Sequence, residues 1–172
     1  HWHSFGLDPS IAAFYMRGHN EVYVRLLRQD KNAIAASLAH ELTHLIIDQI
    51  DKNASLWFHE GMSQYEQEKA FHREVPRSRF LSRDKMVEIL SPESFDLRPF
   101  IRSHTYTQEP RFFYELSYQI ILFIASKGEL ERFCRSYLQY DTPFIPALKQ
   151  SVGYALSSWE TVTREIISFM RK

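Results

Sequence analysis

The stretch SLAHELTHLIIDQIDKNASLWFHEGMSQYEQE, residues 37–68, sets two histidines four apart around a glutamate and follows them with a second acidic residue inside WFHEGMSQY. An α-helix advances about 1.5 Å and about 100° per residue, so His40 and His44 stand roughly 6 Å apart on nearly one face, within reach of one ion. Glu41 is rotated one step from the pair, where it can approach a metal-bound water without replacing it as a ligand. Two imidazoles do not complete such a site, because zinc in hydrolases takes three protein ligands and keeps a fourth position for water. Fifteen residues separate His44 from Glu60. That is enough for one helix to end, a loop to turn and a second helix to bring its first turn beside the histidines. Glu60 is therefore the expected third ligand. His59 points about 100° away from it on a helix, so the two do not serve one ion. Gln64, one turn after Glu60, is placed to hydrogen-bond a ligating imidazole from behind.

Working outward, Ile34, Leu38, Leu42, Leu45 and Ile46 recur at helical steps and predict a helix from about Asn32 to Asp51. A second is expected from about Leu56 through EGMSQYEQEKAFH, with Ser55 as its N-cap and Gly61 early in it. Upstream, IAAFYM and EVYVRLL flank RGHN, whose glycine and asparagine suit a turn, and predict a short hairpin; EVYVRLL is the firmer strand, and IAAFYM is open to a helical reading. Downstream, residues 73–84 and SPESFDLRP read as loop around a short helix near 84–90. Pro110 is placed to start a long helix ending at Lys127, before Gly128. Two or three helices follow, the last introduced by Ser157 and Glu160 at capping-box spacing.

The 172 residues, 44% of them apolar, suit a single domain with its own core. It divides into a strand-containing part over 1–30, a metal-binding helix pair over 31–75, and loop plus helices over 76–172. Lys and Arg together equal Asp and Glu at 21 each, so nothing in the charge favours nucleic acid. The lone Cys134 cannot make an internal disulfide and reads as a small buried residue. The longest apolar run, IILFIA at 120–125, falls far short of a membrane span. The chain begins at His1 rather than Met, so an upstream segment removed by truncation or processing is expected, and neither compartment nor oligomeric state can be read.

HELTH followed by W-x-x-E-G-x-x-x-Y resembles the gluzincin metallopeptidases, particularly the compact bacterial peptidase MA-like domains. More weakly, FYELSYQIILFIASKGELERF and ALKQSVGYALSSWETVTREIISFM are similar to the later helices of that clan, so the likeness covers most of 18–170. The resemblance implies an α+β, mainly helical, zincin-like domain closed by a C-terminal helical bundle. It implies one Zn2+ on His40, His44 and Glu60, Glu41 as general base, and a peptide or protein substrate. Tyr114 matches a catalytic tyrosine of the aminopeptidase branch, and Tyr118, one turn on, is the reserve candidate on the substrate side. That branch binds the substrate amine with a G-x-M-E-N loop and has a longer spacer before its ligating glutamate. This chain has GHNEV at 18–22, where Glu21 makes at most a weaker contact, so an endopeptidase is expected rather than an aminopeptidase. In this clan the edge strand before the metal helix, here EVYVRLL, pairs with extended substrate. The competing expectation is an inactive zinc-binding relative that uses the groove to hold a protein or peptide.

Overall fold

Helices α1 (Lys31–Ile50) and α2 (Leu56–Phe71) are joined by a five-residue loop and lie along one another. The loop closes on itself: the Asp51 side chain accepts from Asn53 N–H at 2.8 Å, and its carbonyl accepts from Ala54 N–H. Asp48 faces His59, His44 faces Ser63, and His40 faces Glu60, so the two helices run antiparallel. This computed structural model describes residues 13–24, 31–71, 83–90, 95–105, 109–139, 143–153 and 158–172. Around the pair come strands β1 (Ala13–Met16) and β2 (Glu21–Val24), then α3 (Arg83–Ile89), α4 (Leu97–Arg102), α5 (Pro110–Ser126), α6 (Leu130–Cys134) running into a π-helical turn (Arg135–Gln139), α7 (Phe144–Val152) and α8 (Trp159–Met170). The class is thus mainly helical with one two-stranded sheet among the described residues. None of the described helices is long and apolar enough to cross a membrane.

The hairpin is antiparallel, with Tyr15 opposite Val22 and Met16 opposite Glu21. Gly18 and Asn20 take positive φ in its turn, so IAAFYM ends in a strand and not a helix. Both strands contact α1.

Helix α2 is fixed from behind. Trp57 and Phe58 are fully buried among Phe133, Tyr137 and Phe144, with ring centroids 5.1–6.4 Å apart across the cluster. Aromatic burial of this kind contributes about 1.5–3 kcal/mol per side chain. Ser55 precedes the helix as expected, and its carbonyl accepts from Phe58 and His59 N–H. Its hydroxyl, however, is 2.6 Å from the Tyr137 hydroxyl, so it ties α2 to the π-helical turn. Further along, α2 presses against α5 so closely that a Cβ on Gly61 would stand 2.5 Å from the Ser117 carbonyl oxygen.

Three expectations need correction. SPESFDLRP is not all loop: Asp96 accepts from Arg98 N–H and starts α4. The last helix is capped by Ser158, which accepts from Thr161 N–H at 3.2 Å, while Ser157 lies outside the described residues. Leu42 and Ile46, which helped announce α1, are 41% and 56% exposed, and the helix instead buries Ala36, Ile47 and Asp48. Elsewhere α5 runs from Pro110 at its first turn to a Lys127 C-cap before Gly128, close to its expected limits. Cys134 is half-buried, and burial pushes its thiol up to about 12.

Replacing Gly61 by alanine is expected to destabilise the fold by about 1–3 kcal/mol, because the backbone overlap outweighs the gain of about 1 kcal/mol in helix propensity. The measurement is the urea midpoint. An undiminished midpoint at constant m would show that α2 and α5 can part without cost.

Candidate metal centre

His40 and His44 project from α1 toward the first turn of α2, where Glu60 is 5% exposed. Glu60 Oε2 lies 3.5 Å from His40 Nε2 and 3.7 Å from His44 Nε2, and all three donor atoms fall within 4.8 Å of one another. Tetrahedral bonds of about 2.0–2.1 Å set neighbouring donors about 3.3 Å apart, so this N, N, O set is close to the dimensions a cation such as zinc requires. The three residues could hold a metal ion.

They open onto a cavity of about 280 Å³, also lined by Phe14, Tyr15, Arg17, Glu41, Asp48, Leu56, His59 and Tyr114. Glu41 is turned toward the hairpin and accepts a 2.8 Å hydrogen bond from the Tyr15 backbone N–H. Burial holds its carboxyl above the ordinary carboxylate range, against the opposing pull of His40 and that N–H. Tyr114, half-buried on α5, reaches the same cavity from the far side.

The expected residues therefore divide. His40, Glu41, His44, Glu60 and Tyr114 come together at one cavity. Tyr118 does not: it is buried, and its hydroxyl donates to Glu68. Glu21 is exposed on β2, takes a hydrogen bond from Tyr23 and does not line the cavity. Gln64 is buried but makes no bond to an imidazole. Ser63 does so instead, with Oγ 3.3 Å from His44 Nδ1, and Gln67 stands near enough to His40 to help raise its pKa. Position 64 lies about 40° to one side of Glu60 and position 63 about 60° to the other, so the rotation of α2 about its axis decides which of them meets an imidazole. Among the described residues the strand at the cavity is β1, through Phe14 and Tyr15, rather than β2, while residues 25–27 of EVYVRLL lie outside the described residues. Asp48 and Arg17 add to the expected set, and His59, weighed above only as a ligand, lines the cavity as well. Asp48 was legible as the next turn of the His40, His44 stripe.

Comparison with known proteins adds nothing further: no family model, curated protein or solved structure matches the chain.

The two imidazoles differ in protonation. Burial opposes charge on His40, but the neighbouring Glu60 carboxylate, with help from Glu41 and Gln67, outweighs it and raises the pKa above its ordinary value of 6.5. Burial lowers His44 to about 3, so it is neutral throughout the neutral range. A cation needs both Nε2 lone pairs and must displace the His40 proton. Zinc titration at pH 6.5 is expected to release protons and to bind more weakly as pH falls, with the release shrinking as pH rises through the His40 pKa. Calorimetry in buffers of different ionisation enthalpy reads this directly. Equal heats at pH 6.5 would mean that His40 enters the site already neutral.

Proposed function

We propose that this chain is a zinc-dependent peptidase of gluzincin type with a zincin-like fold, cutting within peptides or proteins. The observation that carries the reading is the convergence of two imidazole Nε2 atoms and one carboxylate oxygen at a cavity shared with Glu41 and Tyr114. The resemblance of HELTH and WFHEGMSQY to that family supports it. A metal-holding partner-binding module has no use for a carboxylate beside the cation, so Glu41 favours the hydrolase over the binding module.

Zinc held by His40, His44 and Glu60 would supply Lewis acidity, lowering the pKa of a coordinated water to about 7 and polarising a peptide carbonyl. Glu41 takes the proton that the attacking water gives up and returns it to the departing amine. Its raised pKa moves it in the direction that helps both transfers, since a base that must later act as an acid works best when neither form is strongly favoured. The Tyr15 N–H holds one oxygen of that carboxylate and limits its rotation. Tyr114, through its phenol hydroxyl, donates to the oxygen on which charge develops. β1, whose Phe14 and Tyr15 line the cavity, is the strand nearest to where an extended substrate would lie.

Purified protein is expected to carry zinc near one per chain, lost in His40→Ala and Glu60→Ala. Glu41→Gln should keep the metal and lower cleavage of a mixed peptide library by about 10²- to 10⁴-fold. Equal cleavage by this variant would remove Glu41 from the mechanism. Tyr114→Phe should lower kcat by about 10²- to 10³-fold with little change in KM; an unchanged kcat rejects the donor role.

A further inference from the structure

The cavity contains more imidazole and carboxylate than its chemistry uses. His59, 5% exposed, makes two contacts: its Nδ1 lies 3.4 Å from His44 Nδ1, and its Nε2 lies 3.4 Å from Asp48 Oδ1. Asp48 is 4% exposed, and the Arg17 guanidinium stands 3.0 Å from that same oxygen. Arg17 also donates to the Lys52 carbonyl, which pins the hairpin turn to the end of α1. A row of groups thus runs from the hairpin through a carboxylate and an imidazole to one of the three ligands.

Proton placement along this row is determined. Two imidazoles whose Nδ1 atoms face each other attract only if one nitrogen carries hydrogen and the other a lone pair. When the Nε2 of His44 binds a cation, its proton must sit on Nδ1, and that N–H is the donor. His59 must then accept on Nδ1 and carry its own proton on Nε2, where it faces the Asp48 carboxylate. Asp48 can only accept, and Arg17 can only donate. The other neighbour of His44 Nδ1, the Ser63 hydroxyl at 3.3 Å, can act either way and so selects no tautomer. With Nδ1 accepting and Nε2 carrying hydrogen, His59 has no lone pair left for the cation.

We propose that His59 and Asp48, anchored by Arg17, are positioning residues that set the tautomer and ring orientation of His44 for cation binding. The inference rests on the metal reading above and adds to it a route by which the hairpin is coupled to cation affinity. Oriented acceptors behind a ligating imidazole typically change metal affinity by about 10- to 100-fold.

The test is zinc affinity, measured by competition with a chromophoric chelator, on the wild-type chain and three variants, each checked for folding by circular dichroism. His59→Phe, which removes the acceptor, should bind zinc about 10- to 100-fold more weakly. His59→Gln, whose amide oxygen can accept from Nδ1–H, should recover most of that loss, and Ser63→Ala should cost less than His59→Phe. In the wild-type protein loaded with zinc, nitrogen-15 spectra of the rings should show His44 protonated on Nδ1 and His59 on Nε2. Wild-type affinity in His59→Phe, an equal loss in His59→Phe and His59→Gln, or a proton on His59 Nδ1 would each overturn the proposal while leaving the metal centre standing. Failure of the wild-type chain to bind zinc would instead overturn the metal reading and this inference with it.

Discussion

Glu60 is a carboxylate held away from water, and the rest of the structure is arranged around the cost of keeping it there. Removing such a charge from solvent costs several kcal/mol unless partners of opposite charge or hydrogen-bonding groups repay it. Here the repayment comes from α1, whose His40 and His44 present nitrogens to one oxygen of Glu60. Those partners are useful only if α2 sits at one depth. That depth is set from the other side, where Gly61 lets α2 approach α5 and where Trp57 and Phe58 lock its first turn into the aromatic cluster. The candidate metal site on one face of α2 therefore depends on packing behind it. The residues in WFHEG stand in sequence as two buried aromatic anchors, an imidazole beside His44, a candidate ligand and a close contact with α5.

The hairpin completes the arrangement with few residues. Tyr15 N–H reaches Glu41, Arg17 reaches Asp48, and Asn20 Oδ1 accepts from Gln49 at 3.1 Å. Each of these contacts lands on α1, at 41, 48 and 49, so the hairpin grips the histidine helix along its exposed flank and at its end. Its turn needs positive φ at Gly18 and Asn20. A sheet of two strands is marginal alone in water, and these polar contacts, with the packing of Phe14 on Tyr23, give it a fixed seat.

Much of this could be read in advance. Helices α1, α2 and α5, the hairpin turn and the cluster of His40, His44 and Glu60 follow from helical periodicity, from Pro110 and Gly128, and from ligand spacing. Those signals are local and depend on backbone geometry that tertiary packing seldom overrides. The failures share a cause as well. Whether Gln64 or Ser63 meets an imidazole, and whether Tyr118 faces the cavity or Glu68, depends on how far each helix is rotated about its axis, which contacts across the fold decide. The same is true of Leu42 and Ile46, whose spacing announced a helix without revealing which face it would bury. Helix α4 was missed because its start rests on one side-chain bond from Asp96 rather than on a hydrophobic period.

The bond between Ser55 and Tyr137 joins residues 82 positions apart. At synthesis rates of about 5–20 residues per second, the tyrosine that seats the start of α2 is made roughly 5–19 s after His40. Through that interval the start of α2, which carries Glu60 toward the two imidazoles, lacks this tie to the later part of the chain.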